Sequence, residues 1–161
     1  MCLTTTMLRA NVADKPITCY KVVLYITDTR TGERRFKSHI FNFDYKVGES
    51  YELEPEDFFS ERPKGHASKY YEVHEGFHSY NSVEHARARH EGRRRFRHKE
   101  GHIVYRFALL KCEIPEGAYY WTGDDYDDES GFYQFCSDKI RVIAWKPLFG
   151  FFWRKKLKSC A

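Results

Sequence analysis

The sequence predicts an α+β protein, with a single twisted, mostly antiparallel sheet of about six or seven strands and one main helix, residues 82–91, packed across it. Aromatic residues make up 17% of the chain, with 12 Tyr and 13 Phe, and such side chains favour the half-buried surface of a sheet. Extended β-branched and aromatic runs alternate with turn signatures. Only one segment carries helix signals, so we expect one helix to cover the sheet.

The first half of the chain contains a predicted hairpin. The run Thr18–Thr27 is β-branched and aromatic, and a turn cluster at residues 28–33 separates it from a second extended run, Arg34–Phe43. A short strand pair or a bend is expected about Gly48. Glu54–Phe59 is predicted to form one helical turn.

The main helix is predicted to follow a strand-to-helix corner. Lys69–His74 is a candidate strand that leads to Gly76 and Phe77, where the chain turns. Ser82 is suited to cap the helix N-terminus, and Gly92 is expected to end it. A helix this short is not stable alone, so it must pack on the sheet.

The second half of the chain is predicted to contain the centre of the sheet. His102–Ile114 is the longest apolar run and is expected to be the central strand, ending at a turn over residues 115–117. Tyr119–Trp121, Phe132–Phe135 and Lys139–Trp145 are predicted to complete the sheet.

The predicted organisation has three parts: a flexible N-terminal arm, residues 1–16; a single α+β domain, residues 17–146; and an aromatic and basic C-terminal tail, residues 147–161. A chain of 161 residues is one domain's worth of protein and can bury a core without disulfides.

The cysteines and the apolar pattern favour a cytoplasmic protein. The five cysteines are scattered and show no C-x-x-C pair, which argues against a zinc ribbon or a disulfide framework. No export signal and no apolar run long enough to span a membrane is apparent. We therefore expect reduced thiols. The cysteines are Cys2, Cys19, Cys112, Cys136 and Cys160.

The corner contains an apparent metal-binding motif. Residues 74–78 match H-E-x-x-H, which binds zinc when both histidines lie one helical turn apart. Here the motif falls in an extended segment, where positions i and i+4 are about 13 Å apart. We therefore predict no metal site, and interpret the segment as a corner that positions His78 and Ser79.

Four short segments carry a resemblance that extends over about residues 1–146. Residues 17–23, 75–86, 110–117 and 137–143 resemble small uncharacterised proteins found in gut bacteria and their phages. The resemblance implies a phage or mobile-element setting, in the cytoplasm of a bacterial host, and brings no known activity.

A more distant similarity is to the ADP-ribosyltransferase superfamily, in which a first-strand residue and a Gly-aromatic-aromatic-Ser/Thr corner precede a short helix and a catalytic Glu. This resemblance implies an NAD-dependent enzyme; otherwise no cofactor is expected. Lys21 replaces the usual His or Arg, and no Glu stands directly before Ser137. The implied catalytic residues are Tyr20, Lys21, His78, Ser79 and Glu129.

A third hypothesis concerns Cys2. After removal of Met1, Cys2 would be an N-terminal nucleophile whose own amine acts as base, as in hydrolases of that type. The alternative interpretation is a free thiol on a mobile arm.

The leading functional hypothesis is a small accessory protein of phage or mobile-element type that binds a macromolecule through a basic patch. A segment this rich in cations can neutralise phosphates. The candidate partners are nucleic acid and an acidic protein surface; the alternative is a solvated face that pairs with the acidic loop at residues 124–129. The patch comprises Arg87, Arg89, Arg93, Arg94, Arg95, Arg97 and Lys99.

The tail, residues 147–161, is aromatic and then basic. Such a segment can lie on a membrane surface or dock on a partner protein or on its own domain. It is too short to span a bilayer, and no transmembrane segment is predicted.

Overall fold

The computed structural model describes residues 3–5, 7, 9–38, 43–54, 61–63, 71–73, 76–93, 96–124 and 133–148. The predicted α+β class is wrong. The protein is mostly β, with one short helix and a curled antiparallel sheet that forms a half-barrel. The physical reason is that the sheet curls and packs its own side chains together, so that it needs no helical layer over its main core.

The strands lie at short intervals along the described chain. They are β1 (Leu3–Thr5), β2 (Asn11–Val12), β3 (Ile17–Asp28), β4 (Arg34–Lys37), β5 (Asp44–Tyr45), β6 (Ser50–Glu52), β7 (Glu61–Pro63), β8 (Tyr71–Val73), β9 (Phe77–Tyr80), β10 (Arg97–Glu100), β11 (Ile103–Ile114), β12 (Tyr119–Asp124), β13 (Tyr133–Ser137) and β14 (Lys139–Pro147). The helix is α1 (Val83–Arg89), followed by one 3₁₀ turn, Glu91–Arg93.

Two sheets form from these strands, and every described pair is antiparallel. The main sheet has the order β2-β12-β13-β9-β3-β11-β14-β6, with β10 beside β11 and with β4 and β5 extending from β3. The small sheet has the order β1-β8-β7. The main sheet therefore contains 11 described strands, more than the six or seven expected, because short edge strands such as β2 and β5 give little signal in the sequence.

The long strands β3 and β11 form the spine of the main sheet. They pair over their whole length, from Asp28 with Ile103 to Ile17 with Ile114. The predicted hairpin is confirmed in part: β4 pairs with β3, but its register runs only from Arg34 to Lys37. The Asp28 side chain accepts backbone hydrogen bonds within the intervening turn.

The main core lies on one face of the sheet, which we call the inner face. Successive strand residues point to opposite faces, and on this face Cys19, Val23, Leu110 and Cys112 are fully buried. Side chains from five strands and two connecting segments complete the cluster. These are Ala13, Tyr45, Phe77, Ala108, Ile114, Ala118, Phe135, Ile140 and Val142.

The opposite, outer face is covered by two smaller elements. Helix α1 places Ala86 against Val22, Tyr80 and Leu109. The small sheet places Leu3 and Val73 against the outer face of β12 and β13, in a cluster that also contains Trp121 and Cys136. The outer face therefore has two local cores instead of one helical layer.

The predicted helix is confirmed in position and N-terminus, and is shorter at its C-terminus. Ser82 is the N-cap, and its Oγ accepts a 3.0 Å hydrogen bond from the backbone N–H of His85. The α-helical conformation ends at Arg89, and the 3₁₀ turn takes the chain past Gly92.

Both terminal segments contribute to the fold. The predicted arm, residues 1–16, contains β1 and β2, and Leu3 and Thr5 are each 2% exposed. At the other end, Leu148 is buried beside α1, and its backbone N–H donates to the carbonyl of Phe107. The rest of the predicted tail, residues 149–161, and the expected helical turn at residues 55–59 lie outside the described residues.

Candidate binding surface

One row of side chains crosses five neighbouring strands on the inner face. Tyr45 of β5 pairs with Phe36 of β4, Phe36 with Tyr25 of β3, Tyr25 with Arg106 of β11, and Arg106 with Arg97 of β10. Direct cross-strand partners share a face and lie about 5 Å apart. The row therefore changes from aromatic on β5, β4 and β3 to cationic on β11 and β10.

A second, parallel row adds two cations at the edges. Thr27 pairs with Arg34 on one side and with Val104 on the other, and Val104 pairs with Lys99. The cationic side chains of the two rows, Arg34, Arg97, Lys99 and Arg106, are all exposed.

Three aromatic rings pack together beside these cations. The Tyr25 and Phe36 ring centroids are 5.4 Å apart and stacked, and Trp145 of β14 lies 4.9 Å from Tyr25 and 5.1 Å from Phe36. All three side chains are half-buried. We call these rings, together with Arg34, Arg97, Lys99 and Arg106, the aromatic–basic surface.

Strand alternation turns three neighbouring carboxylates of the described chain away from this surface. Asp44 pairs with Lys37, while Asp28 and Glu100 both pair with Ile103, which places all three carboxylates on the outer face. Within the described ranges, no salt bridge joins any of the four cations of the aromatic–basic surface to a carboxylate. Their positive charge is therefore available to a ligand.

The structure divides the basic patch predicted from sequence. Arg87 and Arg89 lie on α1, over the outer face, whereas Arg97 and Lys99 lie on β10 and point to the inner face. Arg93 belongs to the 3₁₀ turn. Arg94 and Arg95 fall outside the described residues.

Two cations of the surface, Arg34 and Arg106, are missed by sequence reasoning. Arg34 lies in the short run Arg34–Lys37 and Arg106 in a mainly apolar strand, and nothing local marks either as a binding residue. The hairpin of β10 and β11 brings Arg106 beside Arg97, and the register of β3 and β4 adds Tyr25 and Arg34.

The residues implied by the transferase resemblance are divided between the two faces. Tyr20 packs with the outer cluster at α1, and the His78 Nε2 atom lies 3.7 Å from the Cys136 Sγ, also on the outer face. Lys21 and Ser79 point to the inner face. Glu129 is outside the described part of the chain. A single ligand on either face would thus contact two of the four described residues at most.

Lys21 has the most unusual setting of the four. Its Nζ donates a 2.7 Å hydrogen bond to the carbonyl oxygen of His78 and lies 5.6 Å from the centroid of the Tyr45 ring. Burial lowers the pKa of the Lys21 ammonium below its usual value. The half-buried lysine therefore supports the junction of β3 and β9 from the inner face.

The thiols around Lys21 are protonated and buried. Desolvation raises the pKa of the Cys19 thiol to about 12, although the Ser79 hydroxyl and the Lys21 charge lower it. Burial also raises the pKa of the Cys112 and Cys136 thiols. Because thiolates are the reactive form, these cysteines are suited to packing.

The remaining site hypotheses fall partly outside the described residues. Among the H-E-x-x-H residues, His78 lies in β9, while His74 and Glu75 are not described. Within the described part, no group of three His, Cys, Asp or Glu side chains is arranged to hold a metal ion. Cys2 is also outside it.

Comparisons with protein-family models, with curated proteins and with solved structures find no match for this chain. Among the described residues, no helix is long and apolar enough to cross a membrane. The aromatic–basic surface is therefore the feature of the described chain that best indicates a function.

Proposed function

We propose that this protein is a small accessory protein of phage or mobile-element type that binds nucleic acid through the aromatic–basic surface, in the cytoplasm of a bacterial host. The observation that carries the proposal is the set of four exposed cations on one face of adjoining strands. The phage setting is supported by the sequence resemblance alone.

The spacing of the cations suits a chain of phosphates. Arg97 and Arg106 are direct partners on adjacent strands, about 5 Å apart at Cβ. Arg97 and Lys99 are two residues apart on β10, which separates them by roughly 7 Å along the strand. An arginine can donate two hydrogen bonds to one phosphate, so neighbouring arginines can hold successive phosphates.

Electrostatics favour a polyanion over a single small anion. The cations lie on an open strand surface, where one ion pair contributes little because water and salt screen it. A ligand that contacts several of the cations at once releases several counterions and therefore gains more binding free energy. Nucleic acid carries closely spaced charge and meets this condition.

The test is a salt titration of oligonucleotide binding, followed by fluorescence anisotropy. A fluorescein-labelled oligothymidine of about 12 nucleotides is titrated with the protein between roughly 50 and 200 mM salt. We expect the double variant Arg97→Ser/Arg106→Ser to bind more weakly and to lower the slope of log K against log salt by about 1.4, because each lost phosphate contact removes about 0.7.

The matched control removes the same charge from the outer face. Arg35 pairs with Ile26 and Arg141 with Glu113, so both arginines point away from the aromatic–basic surface, and both are exposed. Arg35→Ser/Arg141→Ser should keep the wild-type slope. Equal losses in the two double variants would mean that net charge alone drives binding. No binding by the wild type would reject nucleic acid as the ligand.

A further inference from the structure

We infer that the nucleic acid is single-stranded and that its unpaired bases stack on Tyr25, Phe36 and Trp145. This inference depends on the proposed function and specifies its ligand. It is carried by the position of the three rings, which share a face with the cations and adjoin them directly.

On β3 and β11 the main core ends at the pair of Tyr25 and Arg106. On the inner face of β11, Cys112, Leu110 and Ala108 are fully buried, and the next inner-face residue, Arg106, is exposed. Its partner Tyr25 is half-buried, whereas the core ring of Phe77 is 4% exposed. The three rings therefore lie where the inner face opens to solvent, with part of their surface accessible.

The order of side chains along the row matches the two parts of a nucleotide. Phe36 and Tyr25 lie on β4 and β3, while Arg106 and Arg97 lie on β11 and β10. A single-stranded nucleic acid laid along the boundary between the aromatic and the cationic side chains would place its bases over the rings and its phosphates over the guanidinium groups. Adjacent β-strands are about 4.8 Å apart, within the reach of one nucleotide.

A duplex cannot use the rings in this way. Paired bases present only their edges in the grooves, and the faces that would stack on an aromatic ring are covered by neighbouring bases. Single strands expose those faces, and each base stacked on an aromatic ring contributes substantially to affinity. The surface should therefore prefer single strands at equal charge.

Accessible rings alone would also suit an apolar partner. The charge of the surface decides against this, because an apolar ligand would leave Arg106, the direct partner of Tyr25, facing it without a counter-charge. A nucleic acid whose bases stack on the rings also brings phosphates to the cations, so it contacts both the aromatic and the cationic side chains of the row. Sequence preference is expected to be weak because every base has a face that can stack.

The first experiment compares Tyr25→Leu with Tyr25→Phe and a single strand with a duplex. Oligothymidine of about 12 nucleotides is the probe, and an unlabelled duplex of the same length is the competitor. We expect Tyr25→Leu to weaken binding of the single strand by roughly 5- to 150-fold, whereas Tyr25→Phe, which keeps the ring, should stay near wild type. The duplex should compete poorly.

The second measurement uses tryptophan fluorescence and does not depend on whether Tyr25→Leu folds. Trp145→Phe is compared with the wild-type residue at position 145, both in a Trp153→Phe background that removes the third tryptophan of the sequence. Trp121 is 1% exposed and lies in the outer core, so quenching by a bound base should come mainly from Trp145. Oligothymidine should quench the protein that retains Trp145 and leave Trp145→Phe much less affected.

The outcomes separate this inference from the proposed function. If the duplex competes as well as the single strand, or if Trp145→Phe is quenched as strongly as the protein that retains Trp145, stacking is contradicted. In those cases the sensitivity to Arg97→Ser/Arg106→Ser would remain, and the protein would be a binder of phosphate backbones. If the wild type binds neither labelled oligothymidine nor a labelled duplex of the same length, both proposals fail.

Discussion

The Lys21 ammonium donates a 2.7 Å hydrogen bond to the backbone carbonyl oxygen of His78. The two residues belong to β3 and β9, and within the described chain these strands share one cross-strand pair, Tyr20 with Tyr80. The lysine thus supplies a bond between the strands beside the end of their ladder. It does so on the inner face, where burial lowers the pKa of its ammonium group.

The lowered pKa of Lys21 predicts a pH dependence of stability. Between its folded pKa and its usual value of 10.5, the unfolded chain binds more protons at this position than the folded chain, so its contribution to stability rises with pH. In Lys21→Met this contribution is absent. The unfolding free energy of the wild type, minus that of Lys21→Met, should therefore increase from about pH 7 to about pH 10.

Urea denaturation of both proteins at each pH measures this difference. The buried thiols also titrate in the unfolded chain, and they lower stability at alkaline pH because their pKa is raised in the fold. Both proteins contain the same thiols, so the subtraction removes most of that effect. If the unfolding free energy of the wild type minus that of Lys21→Met stays constant or falls over this pH range, the Lys21 pKa is not lowered.

The N-cap of α1 predicts a second stability effect. The Ser82 Oγ accepts the backbone N–H of His85 at 3.0 Å, and Ser82→Ala should cost about 1 kcal/mol of unfolding free energy. Ser82→Asp keeps an acceptor at the same place and adds a favourable charge at the helix N-terminus, so it should retain most of the stability.

Thermal or urea unfolding of the two Ser82 variants tests the role of the cap. Ala86 of α1 packs on Val22 and Leu109 of the sheet, so weakening the helix should lower the unfolding free energy of the whole domain. Equal stability of Ser82→Ala and wild type would mean that packing alone determines the helix.

Local signals in the sequence predict individual elements well. The apolar run ending at Ile114 is a central strand, the hairpin between β3 and β4 is present, and Ser82 caps the helix. Each of these depends on residues close in sequence, such as a cap, a turn or a continuous β-branched run.

The fold class and the binding surface depend on long-range register, which the sequence does not display. Curling of the sheet brings Phe43 to Phe77, with ring centroids 5.9 Å apart, and so replaces the expected helical layer. The pairing of Arg106 with Tyr25 likewise joins segments far apart in sequence, whereas its pairing with Arg97 belongs to the local hairpin of β10 and β11. The Arg-rich segment is prominent in the sequence, yet its described arginines point to different faces.

A chemical-shift map of the ¹⁵N-labelled protein with oligothymidine of about 12 nucleotides shows directly where the nucleic acid binds. We expect the largest changes in the backbone amides of residues 24–27, 34–37, 97–100 and 103–106, and in the indole N–H of Trp145. Changes centred on α1 and the outer face around Arg87 and Arg89, or no change with the protein folded, would contradict binding through the aromatic–basic surface.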